Sequence, residues 1–284
     1  MEKLKISDLL DYKFLSGIVA SPSGKKAAFL VKQANKEKNS YDSWAYIADF
    51  CTGEVRKLTS FGAESHLLFD SENTLLFSSV RKHEDKAKDG KEKTVFYRLS
   101  LKGGEAERAF EIPYSVNDMK KMADGSYVFS ATVDLNKPED EDGLKEYQDY
   151  HIIEELPYWE NGAYFVSRFR NTLFTYQEEE GVCERVTAPL FAVSGFELSG
   201  ETIVYTGVSY DQVLPMKNGM YGYDCRTKTT TEYVKDGDMH IGLFKHLRIN
   251  PQRLRMRPHD RICGINRFFH HFAEFAGLFN NTLA

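Results

Sequence analysis

The chain has 284 residues, 42% hydrophobic and 13% aromatic, which is ample material for a folded protein with a substantial core. Its formal net charge of −5 gives no reason to expect nucleic acid as a partner. No run approaches the ~18 apolar residues of a membrane helix, and Met1-Glu-Lys-Leu-Lys lacks the apolar core of a secretory signal. The expectation is a cytoplasmic protein with no membrane partner.

Residues 1–14 read as a short amphipathic helix with Leu4, Leu9, Leu10 and Phe14 on its apolar side and Ser7-Asp8 as a weak cap. A repeat begins after it. Ser21-Pro-Ser-Gly-Lys25 is a turn feeding the strand Lys26–Val31. A second hairpin follows on Thr52-Gly53-Glu54, closed by Val55–Thr59. The same order returns three more times. Phe29, Phe77, Phe129 and Tyr205 are spaced by 48, 52 and 76 residues, and Tyr46, Tyr97, Phe174 and Tyr221 by 51, 77 and 47. Two independent markers keep step apart from one inserted stretch. About four strands every 45–50 residues predicts an all-β fold, a partial β-propeller of about four four-stranded blades. The blades fall at 15–60, 61–112, 113–188 and 189–235, with residues 236–244 opening a fifth.

The insertion, at 134–162, lies inside the third unit. An acidic, Pro-containing loop opens it, Leu144–Glu155 reads as a short helix, and Leu156-Pro-Tyr-Trp-Glu-Asn-Gly162 closes it.

From about Lys245 the composition shifts. Residues 245–284 hold six Arg, one Lys, four His and five Phe, and no blade pattern continues. Phe268, Phe272, Phe275 and Phe279 stand at helical spacing. Three readings of this tail stay open: a basic appendage for a partner or a membrane surface, a docking helix that caps the array, or an out-of-frame translation after residue 244. The abrupt swap from Lys to Arg favours the last, because on an ordinary solvated surface either residue serves. In the first two readings the tail is irregular or helical.

Four cysteines, Cys51, Cys183, Cys225 and Cys263, form no C-x-x-C pair and read as free thiols. Cys51 and Cys225 hold similar places in their units and read as small apolar fillers at strand ends.

Several stretches resemble the amino-terminal propeller of the prolyl oligopeptidase clan of serine peptidases, nearest its bacterial acylaminoacyl-peptidase and dipeptidyl-peptidase branch. They are Ser21-Pro-Ser-Gly-Lys-Lys-Ala-Ala-Phe29, Thr52-Gly-Glu-Val-Arg-Lys-Leu-Thr59 and Leu101-Lys-Gly-Gly-Glu-Ala106. The most particular is Glu154-Glu-Leu-Pro-Tyr-Trp-Glu-Asn-Gly162, followed by Arg170-Asn-Thr-Leu-Phe174. The resemblance covers residues 1 to about 242. It implies a propeller that gates peptide access to an α/β-hydrolase domain bearing a G-x-S-x-G nucleophile elbow. This sequence has no such elbow: Ser209 follows Gly207 by two residues, but Asp211 fills the second Gly position. The expectation is therefore a peptidase propeller without its catalytic domain, inactive alone, with peptide as the substrate of the parent enzyme. Open blade edges would invite self-association. The alternative is a stand-alone propeller-like interaction scaffold with a docking tail.

The resemblance also implies a substrate-binding role for Glu154 and Glu155, since paired carboxylates on a propeller insertion can grip a peptide's amino terminus. Solvated loop charge is the competing reading of the pair. Arg168 and Arg170 could meet a substrate carboxylate, although alternating Arg on a strand reads first as a wet face. Tyr158 and Trp159 could line a substrate chamber or anchor their loop. His151, His240, His270 and His271 have no metal-ligand spacing, and Gly103-Gly104 is a turn without nucleotide-binding context. No catalytic residue, metal or cofactor is expected.

Overall fold

The computed structural model describes residues 5–85, 92–138, 140–147, 149–239 and 241. The chain divides into units at 1–242 and 243–284, and the second unit, with the Arg-rich tail, Cys263, His270 and His271, lies outside the described residues, as does His240.

Where a helix over 1–14 is predicted, the described residues hold a 3-10 helix at Ile6–Asp11, and Leu4 lies outside them. Asp8 accepts the Lys5 amide at 2.8 Å and closes the first turn. The chain then extends, so Phe14 belongs to a strand opposite Lys32.

Four antiparallel four-stranded sheets follow, each in sequence order. The first holds β1 (Lys13–Ala20), β2 (Lys26–Asn35), β3 (Ser40–Asp49) and β4 (Val55–Lys57). The second holds β5 (Glu64–Ser71), β6 (Thr74–Ser79), β7 (Thr94–Ser100) and β8 (Glu107–Ile112). The third begins with β9 (Val116–Lys121) and β10 (Tyr127–Asp134). Its insertion carries α1 (Glu141–Tyr147) and a small hairpin of β11 (Trp159–Glu160) and β12 (Tyr164–Phe165). The sheet resumes with β13 (Phe169–Gln177) and β14 (Val182–Arg185). The fourth holds β15 (Phe191–Ser199), β16 (Thr202–Ser209), β17 (Asn218–Asp224) and β18 (Thr229–Met239). This is a partial propeller. No described helix is long and apolar enough to cross a membrane.

The repeated aromatics are direct cross-strand partners: Phe29 with Tyr46, Phe77 with Tyr97, Phe129 with Phe174, and Tyr205 with Tyr221. In every sheet the two rings stack, with centroids 5.8, 6.3, 5.2 and 5.5 Å apart. Facing aromatics of this kind stabilise the central strand pair of a sheet. Between the sheets lie three apolar clusters. Leu75, Phe77 and Tyr97 pack against Ala28 and Leu30 in the first, and Phe129 and Phe174 against Phe96 and Phe110 in the second. Ile203 and Tyr205 meet Val128 and Leu173 in the third. Each sheet is apolar on faces that only a neighbouring sheet can cover, so stacking rather than any single sheet makes the core.

Side chains repeat with the blades as well. Thr59 Oγ1 accepts the Ala45 amide at 3.0 Å, and Thr187 Oγ1 accepts the Leu173 amide at 3.3 Å in the third sheet. Between the second and third sheets, Asp70 Oδ1 accepts from Tyr127 at 2.9 Å and from Lys121 at 2.5 Å, and its Oδ2 accepts Arg98 Nε at 3.0 Å.

Three local expectations change. The insertion helix sits at Glu141–Tyr147, ahead of the predicted Leu144–Glu155, because Pro157 and the pairing of residue 156 hold the later stretch extended. Residues 236–239, predicted to open a fifth blade, continue β18. Cys51 is not a strand-end filler: it sits exposed in the turn after β3, while Cys225 is partly buried against the third cluster. Burial pushes the Cys183 and Cys225 thiols up to about 11.

Candidate functional site

In an antiparallel four-stranded sheet taken in sequence order, the connection from strand two to strand three leaves at the same end as the connection to the next sheet. Three such segments meet at that end of the third and fourth sheets. They are the insertion between β10 and β13, the link 186–190 before β15, and the loop 210–217 between β16 and β17. The insertion is tied to the last of these as a strand would be. Leu156 bridges Val213 in parallel, its amide donates to Gln212 O at 2.8 Å, and its carbonyl accepts the Leu214 amide at 2.9 Å.

The tie seats a buried ion pair. Arg170, on β13, is fully buried, and Glu155 is only 3% exposed. Arg170 Nη1 donates to Glu155 Oε2 at 2.9 Å while Nη2 donates to Oε1, a bidentate fork. The remaining donors are also used: Nε reaches Leu190 O at 3.2 Å, Nη2 reaches Tyr210 O at 3.1 Å, and Nη1 reaches the Tyr210 hydroxyl at 3.0 Å. The guanidinium lies over the Tyr210 ring, 3.7 Å from its centroid. Burial raises the Tyr210 hydroxyl above its ordinary pKa, and the Arg170 charge offsets part of that rise.

Arg168 stands one step outward. Its amide donates to Glu155 Oε2 at 2.9 Å, its Nε to Glu154 Oε2 at 2.8 Å and its Nη1 to Asp211 Oδ1 at 2.6 Å. Its hydrogen bonds to these carboxylates, Glu154 first, raise the Arg168 pKa further. Its backbone has φ +63°, a left-handed conformation that a non-glycine residue adopts at a cost. The three carboxylates around it hold it there.

Adjacent in sequence, Glu154 and Glu155 thus have opposite surroundings. Both Glu155 oxygens are committed to Arg170. The Glu154 side chain is 48% exposed and shares Arg168 with the still more exposed Asp211. Arg168 and Arg170 are not a wet face. They point into the seam between two sheets, because the insertion supplies acidic partners that a plain strand would lack. The sequence did hold a signal for this: two adjacent Glu in the insertion are followed by two alternating Arg just after it, a matched set of opposite charges. Tyr210 and Asp211, a blade away, had none.

Trp159 lines a cavity of about 390 Å³ together with Tyr147, His151, Tyr164, Phe165 and Asp134. Tyr158 contributes its carbonyl, which accepts the Val166 amide at 2.9 Å and anchors the loop.

No protein-family model matches the sequence, and no curated protein does. Solved structures do match in fold. The acylaminoacyl peptidase of Pyrococcus horikoshii is similar over 80% of this chain at 16% identity, with a TM-score of 0.60. An acylaminoacyl peptidase in complex with Z-Gly-Gly-Phe-chloromethyl ketone is similar over 81% at 15% identity, with a TM-score of 0.61. Each match takes in 33% of the solved chain, so this chain spans about a third of those proteins' length. The shared part is the propeller.

Proposed function

We propose that the chain is the substrate-gating propeller portion of a serine peptidase of the prolyl oligopeptidase type, acting on peptides at their acyl- or dipeptidyl ends and carrying no nucleophile of its own. The observation that supports this most is the likeness in fold to acylaminoacyl peptidases over 80% of the chain. The sequence stretches that resemble the same branch, above all Glu154–Gly162, point the same way. In this reading Glu154 meets the ammonium of a peptide's amino terminus, with Asp211 beside it. Glu155 is the positioning member of the pair, holding Arg170 and through it the insertion.

Incubating the purified chain with aminoacyl and dipeptidyl nitroanilides and with a fluorophosphonate probe tests the absence of a nucleophile. The expected result is no hydrolysis and no adduct, and robust labelling of a serine overturns it. Binding of a folded protein in place of peptides would favour the scaffold alternative.

A further inference from the structure

We propose that the insertion of the third sheet forms an aromatic cage for an organic cation, of a size between a trimethylammonium group and a guanidinium side chain. The cavity of about 390 Å³ falls at the lower end of the range for small-ligand sites. Its walls are rings set across one another. Trp159 stands edge-on to Tyr164, at 80° with centroids 5.5 Å apart, and to Phe165, at 87° and 5.1 Å. His151 stacks on Phe165 at 4.0 Å and adds a flat side. Aromatic rings lining one space carry negative quadrupoles on their faces, and any face left open to that space favours a cation over a neutral group of the same shape.

The polar lining has the matching sign. Among the described lining residues Asp134 is the carboxylate, and none is a Lys or Arg. The Tyr147 hydroxyl donates to Asp134 Oδ2 at 2.7 Å and the Asn136 amide to Oδ1 at 3.0 Å. Both donors are neutral, so they orient the carboxylate without cancelling its charge. Burial, then the bond to Asp134, raises the Tyr147 pKa.

The rings lie outside the core between the sheets. Trp159 is 45% exposed and Tyr164 65%, and neither belongs to any of the three core clusters. Tyr164 is also held at φ +62°, an unfavourable conformation for an aromatic residue. Strain of this kind clusters at ligand-binding positions.

The test is calorimetric titration of the full chain with choline, with its neutral isostere 3,3-dimethylbutan-1-ol, and with the N-acetyl methylamides of lysine and arginine. The acetylated amides have no free amino terminus, so the outcome does not depend on the role given to Glu154 or on peptidase ancestry. Saturable binding of at least one cation is expected, with the isostere weaker by about tenfold or more. Asp134→Asn and Tyr164→Leu should each weaken the cation by about tenfold. Because Tyr164 is so exposed, its variant remains informative if Asp134→Asn does not fold. A preference for the amides assigns the cage to a basic side chain of a peptide, and a preference for choline assigns it to a free small cation. No saturable cation binding by folded protein overturns the proposal. So does equal affinity for the neutral isostere, or unchanged affinity in the folded variants.

Discussion

Arg170 grips the carboxylate of Glu155 through both terminal nitrogens at a point where neither residue meets solvent. The pair joins the insertion of the third sheet to its own β13, and through Leu190 and Tyr210 to the fourth sheet. Removing one partner strands a buried charge, whereas removing both does not. Arg170→Met should therefore cost about 3–5 kcal/mol of stability, and Glu155→Gln a comparable amount. The double variant should lose clearly less than the sum. Urea unfolding of the four proteins measures this, and additive losses would mean that the pair is not coupled.

A second prediction concerns acid. Burial pushes the Asp70 carboxyl up, but hydrogen bonds from Lys121, Tyr127 and Arg98 outweigh it and hold the group below its ordinary value of 3.8. Asp85 is lowered in the same way, by Tyr97 and the amides of Lys82 and Arg81 against burial. A carboxylate whose folded pKa is depressed stabilises the fold above its unfolded pKa, and that contribution is lost as pH falls through the folded value. Stability should stay level with respect to these groups at neutral pH and decline as pH drops below about 4. Asp70→Asn should be less stable at pH 7 and show a shallower acid decline in unfolding midpoint. An unchanged acid limb would remove Asp70 from this account.

Gly207 offers a test of how closely the first two strands of the fourth sheet approach. A Cβ there would lie 2.3 Å from the Ala192 carbonyl oxygen and 2.5 Å from a Phe191 ring carbon. Backbone cannot yield as a flexible side chain would. Gly207→Ala should cost about 1–3 kcal/mol through strain. Gly24→Ala, in open space but at φ +70°, should cost about 1–2 kcal/mol for conformation alone. Thermal unfolding compares the two, and a Gly207→Ala protein as stable as the parent would contradict the packing described.

The blades were legible because their signal is local and repeated. Phe129 and Phe174 mark the third unit although some 30 residues are inserted between β10 and β13, since they are opposite each other in the register and the inserted chain leaves that register intact. Thr59 and Thr187 likewise repeat a side-chain bond at the close of a blade, after Leu58 in one and Val186 in the other. The insertion has no period to read. Its Glu155 finds Arg170 fifteen residues on, and Arg170 in turn reaches Tyr210 a blade away, so its charges look solvated until the fold turns them inward. The spacing of Leu9, Leu10 and Phe14 fits a helix longer than the 3-10 turn at Ile6–Asp11, yet Phe14 pairs in β1.

The most direct test of the central claim is equilibrium binding of a fluorescent peptide to the full chain, in matched forms with a free and an acetylated amino terminus. The account predicts saturable binding of the free form, weakened by acetylation and, to a similar degree, by Glu154→Gln. Absence of saturable binding of either peptide by a folded chain would contradict it.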